Sequence, residues 1–184
     1  MSIDIAKARN GVRAHGRELT APVAVAVAAP AAFGVAIWAS TRIHAGPLLY
    51  HAALFTHLSS LVLGFGAVLV ADYLAVLWLA GRCTLAEAVA GAQRLHLPIW
   101  LGLSGLVTSG MFLRPELDAT ATRIKLALVL ILIVNGAQAL ALGRRMTAAD
   151  PIGTRLLVRG VATTVVSQLC WWGSLWIGFW TAQS

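Results

Sequence analysis

Five histidines, three methionines, two cysteines and seven acidic residues are the side chains of this sequence best suited to chemistry, and few of them lie close together. The densest grouping falls in residues 51–81, HAALFTHLSSLVLGFGAVLVADYLAVLWLAG, with His51 and His57 near one end and Asp72 near the other. Neutral imidazole ligates haem iron and copper, while a carboxylate in apolar surroundings either pairs or exchanges protons. Between His57 and Asp72, the small residues Ser60, Gly64, Ala67 and Ala71 recur at i, i+4, i+7 and i+11. That spacing places them on one helical face, which a neighbouring helix or a flat ligand can approach closely. His57 borders the face, and Asp72, fifteen positions later, lies about 60° round it. His57, His51 and Gly64 are therefore the candidate cofactor-binding residues, and His57, His51 and Met111 the candidate metal ligands.

Haem b needs axial ligands at matched depth on facing helices. His57 and His96 fall near opposite ends of their apolar runs, so one haem cannot easily use both. His51 and His57 are six positions apart, about 120° round a helix. The remaining sets join His57 to His51, His44 or Met111, and imidazole with thioether also suits copper. Only Met1, Met111 and Met146 are present, so there is no methionine ladder for Cu(I). Haem b and copper both stay open as expected cofactors, beside a histidine that is merely hydrogen-bonded in a core. A second set, Asp72, His96, Arg159, Asn135 and Gln168, reads as a buried polar network. Asp72 is expected to pair with Arg159, with His96 beside them, and Asn135 and Gln168 to hydrogen-bond across helices. Proton exchange with a quinone or a transported ion is the functional alternative to a structural ion pair. Cys83 and Cys170, in a loop and an apolar run, read as unpaired thiols.

The elements that carry these groups follow from composition. Of 184 residues, 59% are hydrophobic and only 11% charged, where a soluble domain would have about 25% charged. Seven tryptophans, several near the ends of apolar runs, suit anchoring at headgroup level. The net charge of +7 then reads as flanking anchors for anionic lipid, and no aromatic-basic patch points to nucleic acid.

The fold expected is all-α, a polytopic transmembrane bundle of five spans. Residues 1–20 form a basic cytoplasmic tail, and 21–184 a single bundle with spans at about 21–41, 51–81, 95–113, 124–142 and 156–182. The first span, with Pro30 as a kink, reads as a retained anchor; cleavage of that segment would leave four spans. Residues 82–94 and 143–155 read as loops. Basic residues set the orientation. The tail and those two loops carry nine (Lys7, Arg9, Arg13, Arg17, Arg82, Arg94, Arg144, Arg145, Arg155), the opposite side four (Arg42, Arg114, Arg123, Lys125). The N-terminus is accordingly cytoplasmic, in a bacterial-type inner membrane. The GxG at Gly64 and Gly66 lies inside an apolar helix and is no phosphate loop, and neither an HExxH motif nor a Ser-His-Asp order is present.

From Arg94 on, RLHLPIWLGLSGLVTSGMFLRPELDATATRIKLALVLILIVNGAQAL has a helix ending in Thr108-Ser109-Gly110, a short polar loop, and Lys125-Leu126 opening a leucine-rich helix. With the preceding THLSSLVLGFGAVL, this resembles the copper-resistance D membrane family and its small relatives over about residues 52–142. The resemblance implies a helical inner-membrane protein that handles copper or, in some relatives, holds haem. The family's usual tryptophan-glycine step after the histidine is replaced by Leu63-Gly64. The leading functional expectation is a membrane-embedded redox or metal role, b-type haem electron transfer or copper handling, centred on His57. A non-catalytic anchor or accessory subunit of a larger membrane complex is the alternative, and a small-solute or ion transporter the third. Partners expected are the lipid bilayer and either other membrane subunits or quinone.

Overall fold

The computed structural model describes residues 27–184 apart from 44, 150, 182 and 184. The basic tail, the start of the first expected span and His44 lie outside the described residues. Among the described residues the chain is all-α and contains no strand. Its helices are α1 (Val27–Ser40), α2 (Pro47–Leu79), α3 (Leu85–Arg94), α4 (His96–Gly110), α5 (Thr120–Thr147) and α6 (Thr154–Thr181). Two of them, α2 and α5, are long and apolar enough to cross a bilayer.

Local chemistry explains the boundaries. Pro47 opens α2 at a position whose N–H would have no helical partner, after Gly46 in extended conformation. At the other end Gly81 takes a left-handed φ of 69°. Gly81 N–H donates to the Trp78 carbonyl and Arg82 N–H to that of Leu77, both at 2.9 Å. This paired closure is the Schellman ending, and the residue at its centre needs the freedom of glycine. Three residues later Thr84 and Glu87 form a reciprocal capping box that starts α3. Residues 82–94, expected as a loop, therefore hold a ten-residue helix. Its break from α4 at Leu95 follows from Pro98, whose ring excludes a helical carbonyl at Arg94 and which has no N–H to offer it.

The helices pack in two sets. The α2 helix runs against α4, and α5 against α6, while α3 sits between the ends of α2 and α5. Gln93 of α3 lies directly on Gly143 of α5, with no room for a side chain there. The core draws on both sets and on α1: Phe33, Val68, Leu103, Leu132, Ile133, Cys170 and Trp171 form one buried cluster. Trp171, only 3% exposed, reaches from α6 to within 3.2 Å of a Cβ built on Gly64. Phe65 packs against Trp171 and, edge-on, against Trp172, with centroids 5.7 and 5.0 Å away. On the loop side Arg114, at φ 50°, donates to the Ala45 carbonyl at 2.5 Å and ties the segment after α4 to the one before α2.

Candidate functional site

The small face of α2 is filled by α4. Gly64 and Gly102 meet backbone to backbone: a Cβ on Gly102 would sit 2.5 Å from Gly64 N and 2.7 Å from Ser60 O. One turn along, Gly105 faces the Ser60 side chain with no room for a methyl group between them. Gly102, Gly105 and Ser109 answer Ser60 and Gly64 across the seam, small residues on both sides letting the axes approach. Of the two occupants the spacing allowed, a helix or a flat ligand, the helix holds the place. Gly64 is buried under Gly102 and Trp171, which leaves no width for a ring system at that point.

His57 lies at the end of this seam, half-buried, its ring against Gly110. Its Nδ1 is 3.0 Å from Ser109 Oγ. The Ser109 hydroxyl in turn donates to the Gly105 carbonyl at 2.5 Å. The Nδ1–Ser109 contact orients the ring, and which partner donates follows from the imidazole tautomer. Lys125, near the start of α5, is close enough for its charge to act on His57.

The other candidate ligands do not join it. His51 is exposed and packs edge-on against Tyr50, with centroids 5.8 Å apart. Met111 is the C-cap of α4, two residues beyond Ser109 and about 200° round that helix. His96 begins α4, thirteen residues before Ser109, which puts it about 20 Å from His57 along the axis. Its Nε2 is buried with no hydrogen-bond partner. Among the described residues, no three His, Cys, Asp or Glu side chains come together as a metal centre. A bis-ligated haem on the small face and a three-donor copper site therefore do not fit these residues.

The second polar set is rearranged. The expected Asp72–Arg159 pair does not form: Asp72 accepts from Gln168 Nε2 at 2.5 Å, and Arg159 is exposed on α6. The reason is register. Gln168 lies nine residues beyond Arg159, about 13 Å further along α6, and it is Gln168 that comes level with Asp72 in the antiparallel pair. Gln168 Oε1 accepts from Trp172 Nε1 at 3.1 Å, so a donor-only indole and an acceptor-only carboxylate fix both ends of the amide. Asn135 Nδ2 donates to the Thr163 carbonyl at 2.9 Å, bonding α5 to α6. Asn135 and Gln168 thus each bond across helices, to partners other than one another. Cys83 and Cys170 are both free thiols.

Sequence reasoning missed Ser109, Thr163 and Trp172. Ser109 was legible in principle, since it continues the small-residue spacing of Gly102 and Gly105 on α4. Thr163 takes part through its backbone, which no side-chain pattern reports. No family model matches this chain. No curated protein and no solved structure matches it either.

Proposed function

We propose that the chain is an integral protein of a bacterial-type inner membrane, a five-span bundle with its N-terminus in the cytoplasm, serving as a non-catalytic anchor or accessory subunit of a larger membrane complex. One observation carries this reading: three of the polar groups expected at membrane depth are bonded between helices. His57 is bonded to Ser109, Asp72 to Gln168, and Asn135 to the Thr163 carbonyl. Polar groups used this way hold a bundle together where apolar burial cannot, because lipid tails are as apolar as the side chains facing them. Along α6 an open groove of about 690 Å³, walled by Leu169, Trp172, Trp176 and Phe179, offers a ridged surface for a span from another subunit.

The His57–Ser109 contact favours a second reading, the redox or metal role. A hydrogen bond at one ring nitrogen that orients the imidazole is how a protein prepares a histidine for haem iron or copper. The resemblance to the copper-resistance D family points the same way. On this reading the further ligand comes from outside the described residues or from a partner. An absorption spectrum of the purified protein, oxidised and dithionite-reduced, with metal analysis on the same sample, separates the two. The subunit reading expects a colourless, metal-free protein that migrates with partners on a native gel. A reduced b-type spectrum lost in His57→Ala, or copper lost in the same variant, would overturn it.

A further inference from the structure

A second groove, of about 210 Å³, opens between α5 and α6, and more of its lining is polar than in the first. Asn135, Gln138 and Leu142 line it from α5, and Arg159, Thr163 and Val166 from α6. The Asn135–Thr163 bond crosses it. Arg159 is exposed, about 7 Å into α6 from Thr154, and makes no ion pair among the described residues. Helical register extends the basic character toward the connection between the helices. Arg145 follows Gln138 and Leu142 at i+7 and i+3 on α5, and Arg155 precedes Arg159 by four on α6. Both are exposed and likewise without an ion pair among the described residues. The segment joining the helices has one acid, Asp150, which lies outside the described residues.

We infer that this groove binds an anionic phospholipid of the cytoplasmic leaflet, its phosphodiester held by Arg159, with Arg155 and Arg145 toward the connection, and an acyl chain laid past Val166. The inference rests on the membrane placement and orientation proposed above. Guanidinium presents two N–H donors in the geometry of two phosphate oxygens, and one lining the groove with two more on its connection side favours an anion over a zwitterion. Gln138, exposed beside them, supplies an amide for a headgroup hydroxyl. A basic pocket between spans at the cytoplasmic face is a known form of lipid-headgroup recognition.

The test is native mass spectrometry of delipidated full-length protein in detergent, titrated with dioleoyl phosphatidylglycerol, with dioleoyl phosphatidylcholine and with inorganic phosphate. Phosphatidylglycerol should bind in preference to phosphatidylcholine, and inorganic phosphate should not displace it. Arg159→Gln should weaken phosphatidylglycerol binding about fivefold, the effect of one basic group near an anionic surface. Arg159→Lys should lose less, and Arg82→Gln, an exposed basic residue remote from the groove, should lose nothing. Equal binding of both lipids, or an equal loss in Arg82→Gln, would overturn the proposal. Displacement by phosphate alone would replace it with a site for free anions. Alkaline carbonate extraction of membranes separates the two levels of failure. Release of the protein would sink the membrane reading itself, whereas retention without lipid preference would sink the lipid site alone.

Discussion

Gly102 illustrates how far single atoms govern this structure. Its missing Cβ is where α4 touches α2, and the atoms in the way belong to the Gly64 and Ser60 backbone, which cannot swing aside. Gly102→Ala should lower thermal stability in detergent by about 1–3 kcal/mol, the range for overpacking, toward its upper end. Gly66→Ala, with open space around its Cβ, should be neutral or stabilising by up to about 1 kcal/mol. If the two variants melted together, the seam would not be as tight as described. Asp72 supplies a second comparison. Alanine variants of Asp72 and Gln168 should couple by about 1 kcal/mol in a double-mutant cycle, whereas Asp72 and Arg159 should be additive. The small face and His57 were legible in the sequence because helical spacing alone defines them. The partner of Asp72 was not, since it depends on the axial offset of α2 and α6, and neither helix states that offset by itself.

Among the elements, α3 was hidden because it is short and only mildly apolar beside its neighbours. The signal was nonetheless local: Thr84-x-x-Glu87 at the start and Pro98 beyond the end. The Glu87 carboxylate accepts from Thr84 N–H and from Thr84 Oγ1, each at 2.8 Å. The backbone bond first, and the hydroxyl bond second, hold its pKa below the ordinary glutamate value. A depressed carboxylate contributes stability that is complete above its unfolded pKa and is lost as pH falls through the lower folded one. The protection factors of the 84–94 amides, corrected for intrinsic exchange rates, should therefore fall selectively in acid, with those of α2 and α5 as internal references. Thr84→Ala should produce the same fraying at neutral pH, costing about 1 kcal/mol. Equal α3 protection factors at neutral and acid pH would show that the box does not hold its start.

For the whole molecule, the positions of the long apolar runs were readable because length and composition dictate them, and α2, α5 and α6 fall close to the expected boundaries. The pairing of those runs was not readable, because apolar side chains are interchangeable and choose no partner. Selection comes from the few places where something small or polar must be matched, at Gly64 with Gly102 and at Asp72 with Gln168. Those two matches also imply an order of assembly. The chain emerges from its N-terminus, and domains and hairpins close as they appear. The α2–α4 seam lies within residues 47–110 and can close while α5 is still being made. Trp171 and Gln168 arrive last, capping Gly64 and bonding Asp72 across 96 residues of sequence. Until then the nascent bundle carries an unmatched carboxylate, so the sixth helix completes the packing of the second.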